Sequence, residues 1–285
     1  MMDLLARKGI SLDRLRAFLQ VFDAGGIARA APLQAVRQSQ LSRQLKELET
    51  ALGQPLFVRA GRRLLPTEAG RRLARVIRDL RSGLSDAAAA EGSQRLRLAA
   101  GDSVLHWLVL PGLGQLRAEC PGLELSVRAE VAPELVQGLE EHEIDLGLMR
   151  LGSPTGALKT LRLGKVGFAV FAARRHRDLE RMPLAVPISE RALWPLLGQS
   201  GAATIECETF PQVAAAVRSG EVAGILPSYA NRELPEPQYR RTHLPELAAA
   251  ATTLLLVWRD RLDELRPQLE PVRRAIARLV REGIA

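Results

Sequence analysis

Apolar positions in the first fifty residues recur at helical spacing. The first apolar stripe consists of Leu12, Leu15, Phe18, Leu19 and Phe22. Ser11 stands before it as a favourable N-cap, and Gly25–Gly26 follow it as favourable helix ends. The second stripe, before Gly53, consists of Leu41, Leu45, Leu48 and Leu52. With the Ala-rich segment between the stripes, this pattern predicts three short helices.

The pattern then changes to a short hairpin and one long helix. Two strand-like runs flank Ala60–Gly61. Thr67 is a favourable N-cap for the following helix, and Glu68 suits its first turn. One apolar seam runs along that helix through Leu73, Val76, Ile77, Leu80 and Leu84. Arginine is the commonest residue at the remaining positions, which predicts a polar face of Arg71, Arg72, Arg75, Arg78 and Arg81. Residues 85–94 lose the pattern and are the predicted hinge.

From residue 94 onward, strand-like and helix-like segments alternate. The strand-like segments are 95–101, 123–131, 144–150, 166–173, 202–207, 222–227 and 252–258. The helix-like segments are 103–120, 133–142, 210–220 and 263–282. Such alternation with short turns predicts parallel α/β sheets, in which small ligands bind at the carboxyl ends of strands.

Charge is concentrated in the first third of the chain. Residues 1–92 contain 16 Lys and Arg against 9 Asp and Glu, a net charge of +7, whereas residues 93–285 contain 24 against 23, a net charge of +1. A basic domain joined to a near-neutral one indicates a polyanion as the partner of the first part. The alternative is an ordinary solvated basic surface.

The polar face of the third helix has the composition of a recognition helix. Gln and Arg pair bidentately with adenine and guanine in the major groove, and the N-terminal residues of such a helix point at base edges. The hairpin after it corresponds to a wing whose arginines reach phosphates. The candidate DNA-binding residues are Arg37, Gln38, Ser39, Gln40, Ser42, Arg43, Lys46, Arg59, Arg62 and Arg63.

Three segments carry a resemblance to a known family. The segments "AGGIARAA", "QLSRQLKELETALGQPLFVR" and "GRRLLPTEAG" resemble the N-terminal winged helix of LysR-type transcriptional regulators, and the resemblance extends over the whole chain. The chain departs from the usual pattern at Arg37 and Ser39, on either side of Gln38. It also has Gln34 where a buried Leu is usual, and neighbouring Leu33 is expected to replace that Leu.

The resemblance implies a winged helix-turn-helix domain in residues 1–66 and a linker helix with a hinge in residues 67–92. It also implies an α/β effector-binding domain of periplasmic-binding-protein type (type II) in residues 93–285, built from two subdomains. Subdomain I would hold about 94–163 and 250–285, and subdomain II about 164–249. The linker helix would pair with its twin through Leu73, Val76, Ile77, Leu80 and Leu84, giving a homodimer or homotetramer. The alternative is that this seam packs on the chain's own second domain.

Two polar residues stand at predicted strand ends in the C-terminal part. Ser103 opens a helix, whose amides favour an anion, and Arg150 ends a buried strand. By resemblance, both match positions that contact effector carboxylates, which suggests an organic anion. The alternatives are that Ser103 is a helix N-cap and Arg150 a surface arginine. Weaker effector-binding candidates, expected to face the same cleft, are Val131, Ala132, Thr204 and Cys207.

Other classes of function find less support in the sequence. "GDSV" at 101–104 resembles the nucleophile block of GDSL-type hydrolases, but no D-x-x-H follows, and no catalytic residues are assigned. "EEHE" at 140–143 has no second His at metal-binding spacing, and "GLGQ" at 112–115 lacks the third glycine of a dinucleotide site. No metal or cofactor is therefore expected. A solute-binding protein without a DNA target is the main alternative function.

The sequence thus predicts a sequence-specific DNA-binding transcriptional regulator modulated by a small-molecule effector, and not an enzyme. Its expected partners are double-stranded DNA, the effector, further copies of itself and RNA polymerase. We expect no membrane association, because the longest apolar run, 247–258, is shorter than the roughly 20 residues that span a bilayer. The charged start and the two unpaired cysteines indicate the cytoplasm.

Overall fold

The structure, a computed structural model, describes residues 8–61, 63–88, 94–150, 158–176, 179, 182–193 and 204–284. They form two compact units. The first contains the chain up to Ala88 together with Glu140–Glu143, and the second contains the remainder. None of the described helices is long and apolar enough to cross a membrane.

The first unit begins with the three predicted helices. They are α1 (Leu12–Ala24), α2 (Ile27–Ala30) and α3 (Ala35–Leu52). The Ser11 side chain accepts a hydrogen bond from the backbone N–H of Arg14 at 3.4 Å, so the predicted N-cap is confirmed. Gly25 and Gly53 end α1 and α3 in the left-handed conformation, with φ values of 66° and 72°. This conformation suits glycine, which has no Cβ.

The predicted hairpin is also present. Strands β1 (Phe57–Ala60) and β2 (Arg63–Pro66) pair antiparallel, with Ala60 opposite Arg63. Gly61 lies between them with a φ of 61°. The hairpin starts at a fixed place beside α3, because Glu49 accepts hydrogen bonds from the N–H groups of Leu56 at 2.7 Å and Phe57 at 3.2 Å.

Helix α4 (Glu68–Ala88) follows the hairpin at once. The predicted N-cap is confirmed, since Thr67 Oγ1 accepts from the N–H of Gly70 at 3.0 Å. A Cβ at Gly70 would lie 2.3 Å from the carbonyl oxygen of Leu56. Glycine is therefore required here for the close approach of the helix to the chain before β1.

Two expectations for the first unit are wrong. Leu33 does not replace the usual buried leucine, because both Leu33 and Gln34 are exposed, and Leu33 is 103% exposed. Arg78 does not belong to the polar face of α4, because its side chain is only 3% exposed and pairs with Asp23 of α1 at 2.6 Å. Its guanidinium also lies over the Phe22 ring, 5.4 Å from the centroid. The apolar core of the unit includes residues of α1, α3 and α4.

The second unit contains the remaining helices and strands. In chain order they are β3 (Gln94–Ala100), α5 (Asp102–Val104), α6 (Leu113–Glu119), β4 (Leu123–Ala129), α7 (Ala132–Glu140), β5 (Leu146–Arg150), β6 (Leu158–Val166), β7 (Phe168–Ala173), β8 (Leu184–Pro187), β9 (Thr204–Cys207), α8 (Phe210–Arg218), β10 (Ala223–Pro227), β11 (Tyr239–Thr242), α9 (Pro245–Ala248), β12 (Thr252–Arg259), α10 (Leu262–Leu265) and α11 (Glu270–Ile284). One π-helical and one 3-10 turn join α5 to α6.

Each of the two sheets has five strands, in the orders β4-β3-β5-β12-β6 and β11-β7-β10-β8-β9. Both sheets contain the predicted parallel strands, and each also contains antiparallel pairs. In the first sheet β12 pairs antiparallel with β5 and β6, and in the second β7 pairs antiparallel with β10 and β11. Strands β6, β8 and β11 were not predicted.

The first sheet takes its strands from residues 94–166 and 252–259, and the second takes its strands from residues 168–242. The predicted boundary between residues 163 and 164 falls inside β6, which continues to Val166, so the first sheet extends slightly further than expected. One apolar core contains residues of both sheets and of the helices on them. Parallel strands β3, β4 and β5 end at one edge of the first sheet, and parallel strands β8, β9 and β10 end at one edge of the second.

Candidate functional site

The predicted recognition helix α3 presents a polar surface to solvent. Leu41, Leu45 and Leu48 face the core of the first unit. The predicted DNA-binding residues that are exposed on α3 are Arg37, Ser39, Gln40, Ser42, Arg43 and Lys46. Arg43 lies near Glu47 of the same helix at 3.9 Å, but its side chain remains 75% exposed. This surface can therefore reach a duplex without unfolding the unit.

Gln38 differs from its neighbours on α3. Its side chain is half-buried, and its Nε2 donates to the carbonyl oxygen of Ala31, just after α2, at 2.8 Å. The amide that was predicted to contact DNA therefore already holds two helices of the first unit together.

A polar depression of about 270 Å³ lies between α1 and α3. Its polar lining residues are Asp13, Arg16, Gln20, Arg37, Gln40 and Gln44. Arg37 donates a hydrogen bond to Gln20 at 3.2 Å. Arg16 and Gln20 were not among the sequence-based candidates. Their position on the polar side of α1 was the available signal, but it did not show that this side faces the start of α3.

The hairpin places its described arginines at the surface. Arg59 and Arg63 are both exposed, and Arg59 lies opposite Leu64 in the pairing of β1 with β2. The third predicted wing residue, Arg62, lies outside the described residues. The described part of the hairpin thus offers two positive charges beside α3.

The apolar seam of α4 is partly open. Ile77 is buried and Leu73 packs on the core, whereas Val76, Leu80 and Leu84 are 62%, 42% and 52% exposed. A groove of about 600 Å³ runs beside this seam. Its apolar lining comes from both α1 and α4, namely Leu12, Leu15, Leu19, Ile77, Leu80, Leu84 and Ala88. An exposed apolar strip of this kind marks an interaction surface.

In the second unit, Ser103 and Tyr229 meet across the two sheets. Ser103 follows β3, Tyr229 follows β10, and their hydroxyl oxygens lie 3.1 Å apart. Ser103 is not the N-cap of α5, because Gly101 occupies that position. Burial raises the pKa of Tyr229 to about 12, while its hydrogen bond to Ser103 acts in the opposite direction. The Tyr229 hydroxyl therefore keeps its proton at neutral pH and can donate it.

Arg150 stands at the carboxyl end of β5 and forms an ion pair with Glu190, which follows β8. Its guanidinium lies over the Phe168 ring, 5.5 Å from the centroid. The Arg150 side chain is 41% exposed and that of Glu190 only 11%. Both charges influence the pKa of Tyr229, so the ion pair lies near that hydroxyl. The predicted arginine is thus part of a polar cluster and carries a paired charge.

The weaker effector-binding candidates do not all lie together. Val131 is exposed before α7, Ala132 is exposed as the first residue of α7, and Cys207 is half-buried at the carboxyl end of β9. Burial raises the pKa of the Cys207 thiol, which disfavours its reactive thiolate. Thr204 was expected to face the same cleft, but it begins β9 and lies at the opposite end of the strand from Cys207.

Glu233 makes a second contact between the subdomains, one helical turn beyond Tyr229. Its Oε2 lies 2.9 Å from Nε1 of Trp107 and 3.0 Å from Nε2 of His106. Its Oε1 pairs with Arg218 at 2.9 Å. The Trp107 and Tyr229 rings are 6.0 Å apart. The Ser103–Tyr229 contact and the Glu233 contacts therefore lie next to each other, and both connect the two sheets.

Neither Tyr229 nor Glu190 was among the sequence-based candidates. Tyr229 stands two residues after a predicted strand, so the rule that led to Ser103 and Arg150 also applies to it. Glu190 carried no such signal, because the strand before it was not recognised.

Two family models match the chain. One is described as the bacterial regulatory helix-turn-helix protein of the lysR family and matches residues 12–71. The other is described as the LysR substrate binding domain and matches residues 89–281. The first match lies within the first unit. The second match lies almost entirely within the second unit.

Relatives and solved structures agree with these models. The transcriptional regulator DgdR of Burkholderia cepacia is 28% identical over 183 residues, which cover 63% of this chain and 62% of that protein, so more than a third of DgdR lies outside the match. The SDS degradation transcriptional activation protein of a Pseudomonas species is 30% identical over 76% of this chain and 78% of that protein. Full-length LysG of Corynebacterium glutamicum, solved with a bound effector, superposes with a TM-score of 0.67 at 20% identity, covering 96% of this chain and 99% of that one. This likeness shows a shared fold.

Proposed function

The chain belongs to the LysR family of transcriptional regulators, and on that premise we propose that it binds duplex DNA through its first unit and a small-molecule effector through its second. The observation that carries this proposal is the exposed polar face of α3 beside the basic hairpin, in the part of the chain with a net charge of +7. In a helix-turn-helix protein, this face enters the major groove.

Contacts to phosphate and contacts to bases are divided between different residues in this proposal. Arg59 and Arg63 of the hairpin bind the phosphate backbone, which provides affinity on every sequence. Gln40 and Arg43 read base edges, which provides the preference for one operator. Arg16 and Arg37, around the depression beside α3, fix the position of the helix on the backbone.

The functional particle is a homo-oligomer in this proposal. Val76, Leu80 and Leu84 form an exposed apolar strip on α4, and a second copy of the helix covers it. Two linked DNA-binding units then bind two half-sites together, which raises the effective affinity of each. The alternative, that the second domain covers the strip, predicts a monomer with normal DNA affinity.

The effector site is the cluster of Ser103, Arg150, Glu190 and Tyr229 at the carboxyl ends of the strands. Its contacts connect the two sheets, so a ligand that replaces these contacts changes the position of one subdomain relative to the other. An effector regulates only if it binds one arrangement better than another. The consequence in the cell is a changed interaction with RNA polymerase at the bound operator, in the cytoplasm.

Selection of binding sites from random duplexes by the purified chain tests the DNA part of the proposal. We expect enrichment of one motif with two related half-sites, because two copies of α3 read two half-sites. Recovery of duplexes without any shared motif would favour the solute-binding alternative. A thermal-shift screen of the same protein with small molecules tests the effector part independently.

A further inference from the structure

The effector cluster contains one charge of each sign, and they are paired with each other. Arg150 and Glu190 form an ion pair, while the two neighbouring groups, Ser103 and Tyr229, carry neutral hydroxyls. Among the described residues of this cluster, the formal charges therefore cancel. A site of this kind does not attract an anion by net charge, and selection must come from individual groups.

We propose that the effector is a zwitterion of the α-amino acid class, and that Glu190 is the residue that selects it. The carboxylate of the ligand takes the place of Glu190 on the Arg150 guanidinium. Its ammonium group takes the place of Arg150 on the Glu190 carboxylate. This proposal rests on the effector site proposed above and specifies the chemistry of its ligand.

An anion without an ammonium group fits this site poorly. Binding it to Arg150 separates the ion pair and leaves the Glu190 carboxylate, only 11% exposed, without a partner. A buried unpaired charge is costly, and the incoming carboxylate adds like-charge repulsion to that cost. A zwitterion avoids both penalties, because each protein charge keeps a partner throughout the exchange.

A simple amine fits poorly for the complementary reason. It satisfies Glu190 but leaves Arg150 without its carboxylate. The Arg150 guanidinium is more exposed than Glu190, at 41%, so water compensates part of this loss. We therefore expect the ligand's ammonium group to contribute more to discrimination than its carboxylate.

The remaining groups of the cluster suit the same ligand. Phe168 covers one face of the guanidinium, which leaves the N–H groups at its edge for a carboxylate. The Ser103 and Tyr229 hydroxyls supply a further donor beside it. The Phe168 ring also stacks on Phe210, with centroids 5.7 Å apart, and this buried pair fixes Phe168 in place against the guanidinium.

The test uses the purified full-length chain and matched sets of small molecules. Each set contains an L-amino acid, the α-hydroxy acid with the same side chain, and the amine that lacks the carboxylate. Thermal shift identifies the best amino acid, and calorimetry then measures the three affinities. We expect the amino acid to bind on the order of tenfold or more tighter than either analogue, because each analogue lacks one charged hydrogen-bonding group.

A variant of the selecting residue makes the test specific. In Glu190→Gln the ion pair is absent, so the α-hydroxy acid should bind at least as tightly as the amino acid, and the native preference for the amino acid should be lost. Glu206→Gln is the matched control, because Glu206 is exposed on β9 of the same sheet. The control should keep the native preference, and both variants should keep the native melting temperature without ligand to within a few degrees.

Three outcomes would overturn the proposal. They are equal affinity for amino acid and hydroxy acid in the native chain, an unchanged preference in Glu190→Gln, and no response to any amino acid. Operator binding is measured on the same samples, so a failure of the ligand class is distinguished from a failure of the proposed regulator. If only organic acids without an ammonium group shift the melting temperature, the proposed effector site stands and the zwitterion proposal is rejected.

Discussion

Gln38 and Gln40 stand two residues apart on α3, yet their side chains have different surroundings. The Gln38 amide donates to the carbonyl oxygen of Ala31, whereas Gln40 is exposed beside the polar depression. Only a side chain without an internal partner is free to exchange water for a base edge at low cost. At the residue scale, this difference separates residues that position the helix from residues that read DNA.

We expect the double substitution Gln40→Ala and Arg43→Ala to relax base preference by about 1–3 kcal/mol for each bidentate pairing with a base that it removes. Affinity for unrelated duplexes should fall much less, because the phosphate-binding arginines of the hairpin remain. Site selection with the variant protein measures the change. Thr50→Ala, on the exposed far end of α3, is the control, and recovery of the native motif by the double variant would show that these side chains do not read bases.

At the scale of elements, α4 contains two glycines with different roles. A Cβ at Gly70 would lie 2.3 Å from the backbone oxygen of Leu56, while a Cβ at Gly83 would meet nothing within 4 Å. The first glycine allows the helix to approach the hairpin, and the second only lowers the helix propensity of α4.

Gly70→Ala should therefore lower the melting temperature of the protein, because backbone atoms must move apart. Gly83→Ala should leave it unchanged or raise it, since alanine favours a helix interior by roughly 0.5–1 kcal/mol over glycine. Differential scanning calorimetry of the two variants compares the same chemical change at both sites. Similar destabilisation at both positions would contradict the close approach as the reason for Gly70.

The same helix carries the proposed dimer contact. Val76→Asp changes a side chain that is 62% exposed in the single chain, so its cost arises mainly where a second copy covers it. We expect light scattering to show a smaller particle and operator affinity to fall. Arg72→Asp, at an exposed position outside the seam, should leave the particle unchanged. A Val76→Asp protein that stays oligomeric would assign the main interface to another surface.

At the scale of the whole molecule, the uneven charge is the dominant feature. Net charges of +7 in residues 1–92 and +1 in residues 93–285 direct any long-range attraction for DNA to the first unit. The second unit is close to neutral, which suits a ligand site that works through local pairs such as Arg150 and Glu190.

Replacing Arg59 and Arg63 with alanine should weaken binding to every duplex. For each phosphate that is no longer neutralised, the slope of log K against log salt should also become shallower by about 0.9. Fluorescence anisotropy across a salt series measures both effects. Replacing Arg117 and Arg174, which are exposed in the second unit, with alanine removes the same number of positive charges and is the control for net charge alone. An unchanged slope in the arginine variant would show that Arg59 and Arg63 do not contact DNA phosphates.

Much of this organisation is local and is determined by the sequence alone. The helical stripes, the caps at Ser11 and Thr67, and the glycines after α1 and α3 depend on contacts within a few residues. The hairpin likewise depends on its own turn. The difference in net charge between the two parts of the chain also follows from the sequence alone, because net charge is a count of residues and does not depend on how the chain folds.

The tertiary structure decided what depends on partners distant in sequence. Arg78 is buried and pairs with Asp23, 55 residues away, and Leu33 is exposed because no pocket among the described residues of the first unit receives it. The antiparallel strands of both sheets were missed, since pairing direction is a property of two strands. The cluster around Arg150 required the loops after β8 and β10 to meet the ends of β3 and β5. Helical spacing and caps act within one turn, whereas the pairing of Arg150 with Glu190 exists only once the two sheets have packed together.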